Sequence, residues 1–301
     1  MNDLDDKLNI KVLMYHRVLK KEPLDDAHWH YVTASAFRKH LKMIDWMGYT
    51  PVTFYDYKLY KEGKLTLPAK PIIITFDDGY LDTYENAIPI LLEMDMRAVI
   101  FVMGNRNLQR AYWDERNEGD MCPLMSDEQV RHVSEMGFEV GAHSMNHTTF
   151  LKLSSVEISH QLEKSKDQIE SILNDEIYTF AYPYGGVDDR VRDVVSESEF
   201  SFACGVYTGS PKFGKTVFDI RRLAVNQKTA LWKFALLLLL PYQYVEWIYH
   251  RVKSRQDPQM LEKDLYVNME DGRNRKLKKS KNGKPKETDM IIHNISNRNS
   301  R

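Results

Sequence analysis

Pro71-Ile-Ile-Ile-Thr-Phe76 is a run with no polar face. Successive side chains of a strand point to opposite sides, so a strand with apolar residues on both faces needs cover on both. That requirement selects a sheet with layers packed on either face, and the flanking segments agree. Between residues 10 and 230, strand-like and helix-like stretches alternate, the pattern of α/β proteins with parallel strands. Lys11–Tyr15 reads as a first short strand. Residues 35–47 read as a helix, with Phe37, Leu41, Ile44 and Met47 at three- and four-residue spacing. A helix is expected over 84–94, a strand over 98–103, a helix over 127–136 and, after a break at Gly137, a strand over 138–142. Ser154-Ser-Val-Glu157 is a capping box opening a helix that carries Ile158, Leu162, Ile169, Ile172 and Leu173 on one side. Residues 179–182, 201–206 and 222–225 read as later strands. No Gly-x-Gly-x-x-Gly segment follows any of these strands, which argues against dinucleotide binding.

Composition narrows the class further. The 301 residues include 43% apolar and 28% charged side chains, globular values that exclude a disordered, collagenous or disulfide-scaffold chain. No apolar run reaches the roughly 18 residues of a membrane span, which excludes a multi-spanning protein. With 42 basic against 43 acidic residues, no overall charge draws the chain to nucleic acid, and no such partner is expected. Cys122 and Cys204 are the only cysteines; both read as structural, and so few fit a reducing compartment. The acidic, polar start (Met1-Asn-Asp-Leu-Asp-Asp-Lys7) is not a secretory signal, so a cytoplasmic protein is expected.

The chain changes character near its end. The expected organisation is a catalytic domain over 1–229, an apolar to amphipathic helical extension over 230–253 and a basic tail over 254–301. The extension holds Ala230-Leu-Trp-Lys-Phe-Ala-Leu-Leu-Leu-Leu-Leu-Pro241, about half the length that spans a bilayer and closed by Pro241. It reads either as a buried final helix or as an interfacial segment, since Trp and Tyr favour head-group depth. Residues 270–301 carry ten Lys and Arg against four Asp and Glu, amid Gly, Asn, Ser and Pro. Such a stretch is either a solvated tail or an arm for anionic lipid, so peripheral membrane association through residues 230–301 is an expectation.

Chemistry-bearing residues gather just past expected strand ends, where α/β proteins collect ligands. Asp77-Asp78-Gly79 follows the apolar run; two adjacent carboxylates there need a cation or hydrogen bonds to offset burial. Taken alone, the tripeptide is equally a turn signature. Gly141-Ala-His143-Ser-Met-Asn-His147 presents two histidines four apart, a spacing that on a helical turn lets them share one cation. They are alternatively two surface histidines. Combined with Asp78, they make the His-His-carboxylate set of open catalytic zinc sites. Phe180-Ala-Tyr-Pro-Tyr-Gly-Gly186 places aromatics beside Pro and Gly, reading either as a hydrophobic corner or as a rigid turn with exposed ring faces and backbone N–H donors.

Thr75-Phe-Asp-Asp-Gly79, His143-Ser-x-x-His147 and Tyr182-Pro-Tyr-Gly185 resemble, in order and spacing, the first three motifs of the polysaccharide deacetylases, carbohydrate esterase family four with NodB-like domains. Leu13-Met-Tyr-His-Arg-Val18 resembles the opening of the branch that contains the poly-N-acetylglucosamine deacetylases, in which the barrel is circularly permuted. The resemblance spans roughly residues 10–225. It implies a distorted (β/α) barrel with a divalent metal, zinc above others, at its mouth. It implies hydrolysis of the N-acetyl group of a GlcNAc-type poly- or oligosaccharide, or of a lipid-linked intermediate, in surface polysaccharide synthesis. By motif position, Asp78, His143 and His147 would ligate the metal and Asp77 would be the general base. Tyr184 would offer its backbone N–H to the oxyanion, His16 would be the general acid, and Tyr182, Pro183 and Gly185 would line the substrate. There is one departure: many members carry Arg where this chain has Ala181, and that Arg orients the base. Arg221 or Arg222 is expected to supply the guanidinium from the following strand.

The chemistry is coherent on its own terms. An amide is a poor electrophile and water a poor nucleophile, and a zinc-type ion addresses both. A carboxylate can take the proton from water, and a histidine can protonate the departing amine. Two other readings are consistent with the same residues: a catalytically silent carbohydrate-binding barrel, and the same metal site acting on another amide or an ester, since pocket shape selects the substrate.

Overall fold

The computed structural model describes residues 10–23, 30–114 and 122–241, together with Tyr244, Trp247, Ile248, Arg251 and Val252. The basic tail expected over 254–301 lies outside the described residues. The strands are β1 (Lys11–Tyr15), β2 (Arg17–Leu19), β3 (Tyr31–Thr33), β4 (Thr50–Val52), β5 (Pro71–Phe76), β6 (Val99–Val102), β7 (Glu139–Ala142), β8 (Thr179–Ala181), β9 (Phe202–Cys204) and β10 (Leu223–Ala224). The helices are α1 (Ala34–Trp46), α2 (Phe54–Lys61), α3 (Ile88–Glu93), α4 (Asp127–Glu135), α5 (Ser155–Leu173), α6 (Asp189–Ser196) and α7 (Leu231–Leu239).

Eight strands make one parallel sheet in the order β10-β1-β5-β6-β7-β8-β9, with β4 also on β5. β1 pairs along Ile72–Phe76, so β4 (at Pro71, Ile72 and Ile73) and β6 (at Thr75 and Phe76) divide the other edge of β5. Cys204 of β9 bridges Ile220, and β10 just beyond it pairs with β1, so the sheet curls toward closure as a distorted (β/α) barrel. The two-sided burial demanded by the apolar run is present. Ile72, Ile74 and Phe76 pack outward beneath Leu41, Ile44 and Leu91 of the helices. Ile73 points into the barrel, where Val12, Val99, Phe101, Ala181, Phe202 and Cys204 form a second core.

Helix starts follow their capping chemistry: Ser126 with Gln129 opens α4, and Ser154 with Glu157 opens α5. Several elements differ from the sequence pattern, each for a local reason. The helix expected over 84–94 begins as a wide π-turn at Thr83–Ala87 and becomes α-helical only from Ile88. Pro89 has no N–H to return to Glu85, which disrupts the first regular turn. Neither β4 nor α2 stands out in the sequence. β4 is three residues long, and α2 (FYDYKLYK) has aromatics around its circumference and relies on the Thr53–Asp56 capping box. The pair His143/His147 lies on an irregular turn rather than a helical one, with Ser144 and His147 both in the left-handed region.

Within the extension expected over 230–253, α7 ends before Pro241, and Tyr244, Trp247, Ile248, Arg251 and Val252 are again helical. α7 buries Phe234, Leu237 and Leu238. Phe234 stacks on His40 of α1 at 4.2 Å, and the His40 Nδ1 stands 3.3 Å from the Tyr15 hydroxyl. Burial pushes the His40 imidazole down to about 4. The unfolded chain therefore binds this proton first, and stability is fully present above about pH 6.5 and is lost as pH falls toward 4. An NMR titration of the His40 ring should give a midpoint near 4, well below an exposed histidine; an unshifted midpoint would mean that α7 does not cover it.

Candidate active site and metal centre

β5 ends at Phe76, and the next two residues leave in different directions. The Asp77 N–H still donates to the Tyr15 carbonyl at 3.0 Å, which keeps Asp77 in register with the inward positions Ile73 and Thr75. Asp78 and Gly79 then both take positive φ, 73° and 68°. A Cβ on Gly79 would stand 2.9 Å from Val102 Cγ1, so only glycine fits this turn. Two adjacent carboxylates thereby meet two environments.

Asp77 is buried against Arg222, which sits immediately before β10 and is itself 1% exposed. The guanidinium forks onto the carboxylate, Nη1 to Oδ1 at 2.6 Å and Nη2 to Oδ2 at 2.8 Å. Nε also donates to the Gly205 carbonyl at 3.0 Å and Nη1 to Thr75 Oγ1 at 3.2 Å, and the guanidinium carbon lies 5.6 Å from the Phe101 ring centre. Burial works against the charged form of Asp77, yet Arg222, helped by His143 and His16, holds the carboxyl below its usual range. Of the two candidate arginines, Arg222 reaches Asp77. Arg221 instead donates to the Tyr207 carbonyl.

Asp78 is directed toward two histidines. Its Oδ1 lies 3.4 Å from His143 Nε2 and 3.1 Å from His147 Nε2, and all three side chains are buried. One ligand atom from each lies within 4.8 Å of the others. His143 donates Nδ1–H to the Ala181 carbonyl at 2.7 Å, leaving the Nε2 lone pair facing Asp78. His147 is held between rings, stacked on Trp113 at 4.2 Å and edge-on to Tyr184 at 4.4 Å. The turn carrying both histidines is laced to the segment after β6 by Gly104 N–H to Ser144 O and Asn105 N–H to Met145 O. Asp78 Oδ1 is buried without a hydrogen bond, as is His147 Nδ1. A carboxylate and two imidazoles that converge in one buried site fit a divalent cation, with room left in its coordination shell.

His16, directly after β1, is half-buried, and its positive form is among the charges felt by both Asp77 and Asp78. Its backbone carbonyl accepts from the Thr83 hydroxyl at 3.1 Å, and its ring lies 4.8 Å from that of His30. Tyr184 sits in the tight turn Pro183–Gly185 with φ 61°, half-buried beside His147. The exposed ring faces expected from residues 180–186 are not there. Tyr182 is fully buried against Phe150 and Phe180, and its hydroxyl donates to the Phe218 carbonyl at 2.6 Å. Pro183 and Gly185 are buried too, and a Cβ on Gly185 would strike Val206. The apolar neighbours of this corner make it core, with the half-buried Tyr184 as the ring beside the site.

Sequence reasoning missed one wall of the site. Trp113 covers His147, Asp114 accepts from the buried Tyr80 hydroxyl at 2.5 Å, and Tyr80 follows the Asp-Asp-Gly turn directly. The only signal was the aromatic-acid cluster Tyr112-Trp113-Asp114, with nothing in its spacing to tie it to the histidines. Equilibrium dialysis with zinc should show Asp78→Ala and His143→Ala losing stoichiometric metal and Asp77→Asn keeping it. Trp113→Ala should weaken affinity about 10–100-fold, the usual effect of removing a group that orients a ligand.

Several known proteins resemble this chain in sequence or in fold. A poly-beta-1,6-N-acetyl-D-glucosamine N-deacetylase of Staphylococcus epidermidis is 27% identical over 207 residues, covering 62% of this chain and 69% of that protein. The Streptococcus pyogenes deacetylase PplD, solved with acetate, shares the fold with a TM-score of 0.66 at 20% identity, over 77% of this chain and 99% of that one. IcaB from Ammonifex degensii superposes at a TM-score of 0.64 and 21% identity, over 77% of this chain and 97% of that one. Residues 64–203, which run from β5 into β9 and include both halves of the Asp-His-His cluster, match the model of the polysaccharide deacetylase family.

Proposed function

We propose that this protein is a metal-dependent hydrolase that removes the N-acetyl group from a GlcNAc-type sugar, as a poly- or oligosaccharide or a lipid-linked intermediate in surface polysaccharide synthesis. The observation that carries the reading is the forked Arg222–Asp77 pair beside an Asp-His-His cluster. A carboxylate kept ionised at the edge of a cation site is a base in waiting. The Staphylococcus epidermidis relative supports the choice of bond and sugar.

Asp78, His143 and His147 would hold the cation, and two imidazoles with one carboxylate suit zinc among the divalent ions. When bound, such an ion polarises the acetamide carbonyl and makes water acidic enough to attack at neutral pH. The chain's own groups do the rest. Asp77 takes the proton from the attacking water, and Arg222 fixes the plane and charge of that carboxylate throughout. The backbone N–H of Tyr184 donates to the carbonyl oxygen as negative charge grows on it. His16 gives a proton to the amine nitrogen as the C–N bond breaks, so acetate and a free amino sugar leave.

Acetate release from a β-1,6-linked GlcNAc oligomer in the presence of zinc tests this directly. Asp77→Asn should lower the rate about 10²–10⁴-fold with metal content unchanged. Arg222→Lys keeps the charge but not the fork, and should lower kcat with little change in KM. Equal acetate release by Asp77→Asn would remove the base from the scheme.

The same reading places the enzyme in the cytoplasm, peripheral to anionic membrane through residues 230–301. Cys122 and Cys204 support it, both being buried and in no disulfide, as a reducing compartment keeps them. Recovery of the protein in culture medium rather than with cells would overturn that placement.

A further inference from the structure

α7 is apolar on the side turned away from the protein as well as on the side that packs. Phe234, Leu237 and Leu238 face inward, whereas Trp232 and Leu239 are 63% and 67% exposed and Leu236 lies between them on the same outward side. Surface helices ordinarily turn a polar stripe to water, and here Lys233 alone interrupts the apolar one. The helix cannot roll to hide this face. Its inner side is fixed by the His40–Phe234 stack, by the Tyr49 hydroxyl on the Leu238 carbonyl at 2.8 Å, and by Lys11 Nζ on the Leu240 carbonyl at 3.1 Å. Past Pro241 the theme continues with Ile248 and Val252 exposed.

We infer that the outward face of α7, Trp232, Leu236 and Leu239, docks this protein onto an anionic lipid surface. This gives the membrane placement proposed above its contact surface. Cations accompany the aromatics: Lys233 Nζ lies 5.6 Å from the Trp232 ring centre, and the Arg251 guanidinium 5.0 Å from that of Trp247. Trp beside Lys or Arg suits the head-group layer, where the ring sits among acyl chains and the cation among phosphates. Residues 226–255 hold five basic side chains and one acidic, the charge complement of such a surface. No helix among the described residues is long and apolar enough to cross a membrane, so α7 lies in the plane of the interface. A second copy of the chain is a poorer cover, because a two-fold contact would set like-charged helices against each other.

The test is flotation of the full-length protein with phosphatidylcholine vesicles, with and without phosphatidylglycerol, beside the variant Trp232→Ser/Leu236→Ser/Leu239→Ser. The wild type should float with the anionic vesicles only, and the variant should lose on the order of tenfold or more in partitioning. The variant should keep its melting midpoint and its acetate release from a soluble GlcNAc oligomer, since these side chains touch neither core nor site. Absent flotation of the wild type, or equal flotation of the variant, overturns the inference. So does a wild-type dimer in light scattering that the variant converts to monomer without any vesicle binding. Flotation that survives while neither protein releases acetate upholds the surface and removes only the deacetylase reading.

Discussion

A guanidinium buried inside a barrel is tolerable only if each of its three nitrogens finds a partner. Arg222 meets that condition with a carboxylate, a backbone carbonyl and a threonine hydroxyl. That threonine, Thr75, donates its own hydroxyl hydrogen bond to the Leu13 carbonyl at 2.9 Å, so one network ties β5, β1 and the residue before β10 across the barrel mouth. Removing either partner of such a pair leaves an uncompensated buried charge, at a cost of about 3–5 kcal/mol. The interaction that keeps Asp77 ionised is thus also one that holds the curled sheet together above its apolar interior, and the proposed site and the fold share a residue.

Beside that pair, the Asp78-His143-His147 cluster is organised by groups that lie outside it. The Ala181 carbonyl sets the tautomer of His143, while Trp113 and Tyr184 fix the ring of His147 from two sides. Asp78 is held well below the usual carboxylate range: burial opposes its charge, but the two histidines outweigh burial. Neighbouring aspartates therefore remain ionised through different partners, as the proposed division between ligand and base requires.

Much of this was legible in the residues. The apolar run Pro71–Phe76 dictated a strand covered on both faces, the Ser154–Glu157 box set the start of α5, and strand ends followed by Asp-Asp and His-x-x-x-His marked the site. What escaped notice depended on contacts between segments far apart in sequence. Tyr182 looks like a sugar platform until Phe150 and Phe180 are seen to enclose it. Trp113 carries no spacing relation to His147, because the approach of the segment after β6 to the segment after β7 is a product of strand order. The π-turn before α3 and the irregular turn at 143–147 are local departures that hydrophobic periodicity does not encode.

Ala181 stands where the family resemblance leads one to expect an arginine, yet Asp77 receives its guanidinium from Arg222, just before β10. A closed ring of parallel strands has this property in general: a point near its axis is within reach of several strands, so a given chemical group can be delivered by whichever one evolution favours. The requirement is spatial rather than positional. Chains scored as defective because an alignment column is empty deserve inspection from the opposite wall of the barrel before being dismissed as inert.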